Sequence, residues 1–73
     1  MKTTKTVYAN KEHTNEYGVK TIDTVYCETT TLSSGSVYSK KYSWVHSVGD
    51  TKMLWYETKQ LARMKSEMEK YGF

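Results

Sequence analysis

The chain has 73 residues, a formal net charge of +3 and a sequence pI of about 9.0. A chain of this length forms one domain and buries only about 60% of the surface that its unfolded form exposes. A deep catalytic pocket beside the core is therefore not expected, and the aromatic content of 14% excludes a disordered chain. The basic balance also excludes a mimic of DNA, which would be strongly acidic.

The cysteine count and the hydropathy indicate where such a protein works. The single cysteine, Cys27, excludes an internal disulfide. No segment approaches the roughly 20 apolar residues of a membrane span, and no apolar run follows the residues from Met1 to Thr6 as it would in a signal peptide. We therefore expect a single cytoplasmic domain over residues 1–73, without a membrane partner.

The first two thirds of the chain predict three β-strands. Segments of about 3–11, 17–31 and 36–48 are rich in Thr, Val and Tyr, which favour strands. A polar turn is expected at about 12–16. The three-residue loop 33–35 suits a hairpin, because Gly35 stands where a left-handed residue is needed. Together these segments predict an antiparallel meander over about 3–48.

The 33–35 loop also predicts a register. If Leu32 lies opposite Ser36, the paired residues further along are Glu28 with Lys40, Tyr26 with Tyr42, Thr24 with Trp44 and Ile22 with His46. The same reasoning places Lys5 opposite Asp23 in the first hairpin. One face of the sheet would then be aromatic, with Ile22, Tyr26, Tyr38, Tyr42 and Trp44, and Tyr8 would join it.

The last third of the chain predicts one long helix over about 51–71. Asp50 or Thr51 would cap its first turn. An apolar stripe at helical spacing contains Leu54, Thr58, Leu61, Met64, Met68 and Tyr71. Gly72 suits the left-handed residue of a Schellman cap, with Met68 and Phe73 in contact. The predicted fold is α+β, with a three-stranded antiparallel β-meander followed by one long C-terminal helix on its aromatic face.

No arrangement of residues predicts catalysis, a metal or a cofactor. Cys27 and His46 fall on opposite sheet faces in the predicted register, which argues against a nucleophile and base and favours a small, partly buried residue and a histidine at the sheet end. His13, His46 and Cys27 lack the paired spacing of a zinc site. The segment 33–36 matches no phosphate-binding loop. An enzyme or metal protein is therefore the third hypothesis.

The sheet face opposite the helix is the expected binding surface. Valines among polar residues would form a semi-apolar patch, a feature that marks contact sites. A plain solvated face is the alternative. The residues predicted to bind a partner are Lys5, Val7, Lys11, Val25, Ser39, Lys41, Ser43 and Val45. The end of the helix could extend beyond the sheet and form a homodimer through Met68, Tyr71 and Phe73.

These features favour a small non-catalytic protein-binding module. In its short, proline-free composition, rich in Lys, Thr and Tyr, the chain resembles bacteriophage accessory proteins, including anti-CRISPR and other anti-defence proteins. The resemblance covers general character and carries no functional residue. It implies that the partner is a host protein or protein complex, which the chain would inhibit in the host cytoplasm.

Nucleic-acid binding is the alternative function. A three-stranded sheet with a C-terminal helix resembles plant ethylene-response-type DNA-binding domains and the arm-binding domains of tyrosine integrases. That resemblance implies that lysines of the open face contact phosphates and that Ser or Thr contact base edges. The one arginine, Arg63, lies outside the predicted sheet, so bidentate recognition of guanine is not expected.

Overall fold

The computed structural model describes residues 1–73 and contains four antiparallel strands and one short helix. The strands β1 (Lys2–Thr14), β2 (Lys20–Thr31), β3 (Val37–Val48) and β4 (Thr51–Thr58) lie in chain order in one sheet, and helix α1 covers Leu61–Lys70. The α+β class and the antiparallel sheet followed by a C-terminal helix are confirmed. The prediction of three strands and of a helix over 51–71 was wrong.

Strand β4 replaces the first half of the predicted helix. Gly49 and Asp50 form a two-residue loop between Val48 and Thr51, which are paired. Gly49 has a φ of 57°, the positive value that a type II′ hairpin turn needs at its first position. The edge of β3 offers backbone hydrogen-bond partners to the residues that follow, and a helix would leave that edge unpaired. The segment therefore pairs with β3 instead of capping a helix.

The hairpin between β2 and β3 has the predicted loop but a different register. The Leu32 amide donates to the Ser36 carbonyl at 2.9 Å, as expected. Thr31 then pairs with Val37 but Thr30 with Ser39, so Tyr38 is an extra residue in a β-bulge. Every pair beyond it moves by one residue: Glu28 faces Lys41, Cys27 faces Tyr42, Val25 faces Trp44 and Asp23 faces His46. The predicted aromatic face is therefore split between the two sides of the sheet.

The first hairpin also differs from its predicted form. Strand β1 continues to Thr14, and the turn is held by the Asn15 side chain, which accepts hydrogen bonds from the amides of Tyr17 and Val19 at 2.9 and 3.0 Å. Because the turn lies further along the chain than expected, Lys5 faces Glu28 instead of Asp23. A second bulge at Tyr8 interrupts the pairing of β1 with β2.

Helix α1 covers the sheet face that carries Val25, Tyr42 and Trp44. These three residues and Met64 of the helix form the buried apolar core. The helix ends in the predicted Schellman cap, which is confirmed by the Phe73 amide donating to the Met68 carbonyl at 2.8 Å. The C-terminal residues thereby pack back onto the sheet of their own chain. No helix in the structure is long and apolar enough to cross a membrane.

Substitutions in the Gly49-Asp50 loop distinguish the hairpin from a helix start. We expect Gly49→Ala to lower the free energy of unfolding by about 1–2 kcal/mol, since its φ is positive. No atom lies within 4 Å of the added methyl group, so the loss of unfolding free energy comes from the positive φ of the backbone and not from a steric clash. Asp50→Ala is the matched control and should cost under about 0.5 kcal/mol. Urea unfolding followed by tryptophan fluorescence measures both, and a larger loss for Asp50→Ala would indicate a helix cap instead.

Candidate binding surface

The sheet face opposite α1 is uncovered, and we call it the open face. Strand register assigns its side chains, because residues two apart share a face and paired residues share a face. Apolar, hydroxyl and charged groups alternate on it. Its central members are Lys5, Val7, Ile22, Thr24, Tyr26, Glu28, Lys41, Ser43, Val45, Ser47, Lys52, Leu54 and Glu57.

The open face carries most of the residues predicted to bind a partner. It includes Lys5, Val7, Ser39, Lys41, Ser43 and Val45. Val25 and Lys11 lie on the other face, contrary to the prediction. Val25 is fully buried in the core, and the Lys11 ammonium donates to the Gly72 carbonyl at 2.6 Å. The bulge at Tyr38 moves Val25 opposite Trp44, and the bulge at Tyr8 puts Lys11 on the face opposite to that of Lys5.

A shallow groove of about 420 Å³ crosses the open face. Its lining combines aliphatic groups, hydroxyls and two lysines: Lys5, Ile22, Thr24, Tyr26, Val45, Ser47 and Lys52. The two lysines lie at opposite ends, since Lys5 pairs with Glu28 and Lys52 pairs with Ser47. The Lys5 ammonium stands 4.3 Å from the centre of the Tyr26 ring, a cation–π contact. The groove therefore offers an apolar centre between two cationic groups.

Carboxylates balance most of the lysines on the open face. The Lys41 ammonium lies 3.7 Å from a Glu28 oxygen and 3.8 Å from a Glu57 oxygen. Lys5 lies 4.0 Å from Glu28, and Lys20 lies 3.3 Å from Glu12. Exposed pairs of this kind stabilise a fold by at most about 1 kcal/mol each. Their larger effect is on the surface potential, which alternates in sign across the face.

The groups considered for catalysis do not form a site. Cys27 and His46 share the helix-covered face, contrary to the expectation of opposite faces. They lie four residues apart along the sheet, a separation of about 13 Å at the rise of a β-strand. No three His, Cys, Asp or Glu side chains are grouped so that they could hold a metal ion.

A polar and aromatic cluster on the helix-covered face was not predicted. The Trp44 indole N–H donates to Asp23 Oδ1 at 3.1 Å, and His46 Nδ1 shares a hydrogen bond with the same oxygen at 2.5 Å. Trp55 and Tyr71 contact Trp44. The predicted register separated Asp23 from Trp44 and put Trp55 on a helix. The Gly49-Asp50 dipeptide, a known hairpin signal, would have placed Trp55 beside Trp44.

Comparisons with protein-family models, with curated proteins and with solved structures gave no match to this chain.

The Tyr42 hydroxyl makes stability sensitive to high pH. Burial raises its pKa above the usual 10.0, and the neighbouring Cys27 and Tyr8 raise it further. The folded state thus favours neutral Tyr42, so its contribution is complete below about pH 10 and is lost as the pH rises through the raised pKa. Tyr42→Phe should flatten this alkaline loss, measured by urea unfolding between about pH 8 and about pH 11.

The matched control is Tyr17→Phe, because Tyr17 is highly exposed in the first turn. It should lose stability with pH as the wild type does. If the free energy of unfolding of Tyr42→Phe fell with rising pH as steeply as that of the wild type, ionisation of Tyr42 would not be the cause of the alkaline destabilisation.

Proposed function

We propose that this chain is a non-catalytic binding protein that contacts a protein partner through its open face. The proposal rests on the exposed aliphatic side chains of this face, which lie among paired lysines and glutamates. Val7 and Leu54 on this face keep 60% and 59% of their surface exposed. Apolar side chains that stay exposed within a patch rimmed by polar groups mark contact sites.

The dimensions of the sheet suit a protein interface. The molecule extends over 51 × 24 × 15 Å, so the open face is broad relative to the thickness of the protein. One partner in a standard protein–protein complex contributes roughly 800 Å². A face of these dimensions can supply that area without help from the loops. A sheet face of this kind would act by covering a surface of its partner.

The charges of the open face favour a protein over a nucleic acid. Register places four lysines and three glutamates on it: Lys5, Lys20, Lys41, Lys52, Glu12, Glu28 and Glu57. A phosphate-binding face concentrates cations, because affinity comes from neutralising successive phosphates. Lys41 lies between two carboxylates and has its charge already neutralised. Mixed charges instead provide complementarity to a protein surface, which sets orientation and specificity.

We further infer that the partner is a host protein or protein complex and that binding inhibits it, in the manner of phage anti-defence proteins. Size and composition support this form of the proposal. A protein that acts by occupying a surface needs affinity and shape alone.

Two valines provide a matched test of the open face. Val7 lies on it, whereas Val37 pairs with Thr31 and lies on the opposite face, and the two are 60% and 56% exposed. We expect Val7→Asp to reduce capture of the partner about tenfold, because it places a charge in the apolar patch. Val37→Asp should leave capture unchanged. The measurement is an affinity pull-down of tagged variants from bacterial lysate, with and without nuclease.

The outcomes separate the hypotheses. A stoichiometric protein that survives nuclease and is lost with Val7→Asp supports the proposal. Equal capture by both variants would exclude the open face as the contact surface. Nucleic acid retained by the wild type and weakened by Lys41→Glu, with a reduced salt dependence, would establish the nucleic-acid alternative.

A further inference from the structure

Three aromatic rings meet on the helix-covered face, and we call them the aromatic corner: Trp44, Trp55 and Tyr71. The ring centres of Trp44 and Trp55 are 6.4 Å apart. Tyr71 lies 6.0 Å from Trp44 and 5.8 Å from Trp55, with interplanar angles of 78° and 84°. Tyr71 therefore stands nearly perpendicular to both indoles, which are tilted by 48° to each other, and no two of the rings are stacked in parallel.

The aromatic corner borders a cleft of about 200 Å³ whose other walls are Asp23 and His46. Trp44 is buried, whereas Trp55 and Tyr71 keep 44% and 53% of their surface exposed. Large aromatic rings left this exposed around a concave site are available to a ligand. The cleft is thus lined by three aromatic side chains, one imidazole and one carboxylate.

The carboxylate of Asp23 has no permanent cation beside it. Its side chain is 21% exposed. The same oxygen, Oδ1, accepts a hydrogen bond from the Trp44 indole and shares a second one with His46. Lys11 lies opposite Asp23 on β1, but its ammonium donates to the Gly72 carbonyl instead. No lysine or arginine forms an ion pair with Asp23. A partly buried carboxylate of this kind is stabilised when a cation enters its surroundings.

We propose that the aromatic corner and Asp23 bind an organic cation of the alkylated ammonium class. Ring faces attract a cation that lies within about 6 Å of their centres. Since the exposed rings of Trp55 and Tyr71 have their centres 5.8 Å apart, one cation can lie within reach of both. The Asp23 carboxylate supplies the opposite charge.

Alkylation of the ammonium follows from the lining of the cleft. A primary ammonium carries three N–H donors, and burying it without acceptors is costly. Ring faces accept hydrogen bonds poorly, and Asp23, whose Oδ1 is already shared by two partners, offers only Oδ2 to three N–H donors. A trimethylammonium group has no donor to satisfy and spreads its charge over its methyl groups. Aromatic walls with a carboxylate therefore favour the alkylated cation.

A trimethylammonium group could belong to a free small molecule or to a methylated lysine of a protein. The test uses choline, acetylated trimethyl-lysine amide and acetylated lysine amide as probes, with 3,3-dimethylbutanol as the neutral isostere of choline. Titrations are followed by the indole N–H resonances of Trp44 and Trp55 at one fixed pH. We expect at least one trimethylated probe to bind about tenfold more tightly than the neutral isostere.

Variants locate the bound cation. Trp55→Ala and Asp23→Asn should each weaken binding at least about fivefold, while Trp55→Phe retains a ring and should restore part of it. Tyr17→Ala is the control, because Tyr17 is exposed in the remote β1–β2 turn, and should change nothing. Trp55 is itself partly exposed, so its replacement is compatible with folding even if that of Asp23 is not.

The source of the cation follows from the two trimethylated probes. Tighter binding of trimethyl-lysine amide than of choline and of unmodified lysine amide assigns a methylated protein, and the reverse order assigns a free small molecule. Equal affinity for choline and its neutral isostere would overturn the proposal. Binding unaffected by both Trp55→Ala and Asp23→Asn, or no saturable shift up to about 50 mM probe, would also overturn it.

Discussion

Strand pairing assigns side chains to two faces with a period of two, and an extra residue exchanges the faces of everything beyond it. Three such residues, Tyr8 in β1, Tyr38 in β3 and Trp55 in β4, act in this way. The bulge at Tyr38 brings Trp44 opposite Val25 and Tyr42 opposite Cys27. Without it, Trp44 would face Thr24 instead of the buried Val25. The core, the open face and the Asp23 cluster all depend on this shift.

Trp44 connects strands β2 and β4 with the C-terminal segment. It pairs with β2 through Val25 and donates its indole N–H to Asp23. Its ring contacts Trp55 of β4 and also Tyr71 and Phe73 after α1. The buried core contains only four apolar residues. Because the Trp44 ring is large and contacts both the strands and the C-terminal segment, we expect it to contribute a large part of the free energy of unfolding. The ten-residue helix spans only about 15 Å and cannot cover the whole sheet.

The two sides of the sheet therefore present different chemistry. The open face combines exposed aliphatic groups with lysine–glutamate pairs, which suits a protein surface of mixed charge. The helix-covered side presents aromatic rings around a carboxylate without a permanent cation, which suits an organic cation. The two surfaces share no side chain, so each can be altered without direct change to the other.

The sequence by itself determined the features that depend on a few neighbouring residues. The antiparallel pattern, the loop around Gly35 and the cap at Gly72 follow from local turn chemistry. Residues 51–58 have apolar side chains that fit either a helix or a strand, and the unpaired edge of β3 decided between them. The bulges at Tyr8 and Tyr38 carry no local signal in the sequence. They put Val25 and Lys11 on the face opposite to the predicted one, because face assignment follows packing of the whole sheet, which only the tertiary structure decides.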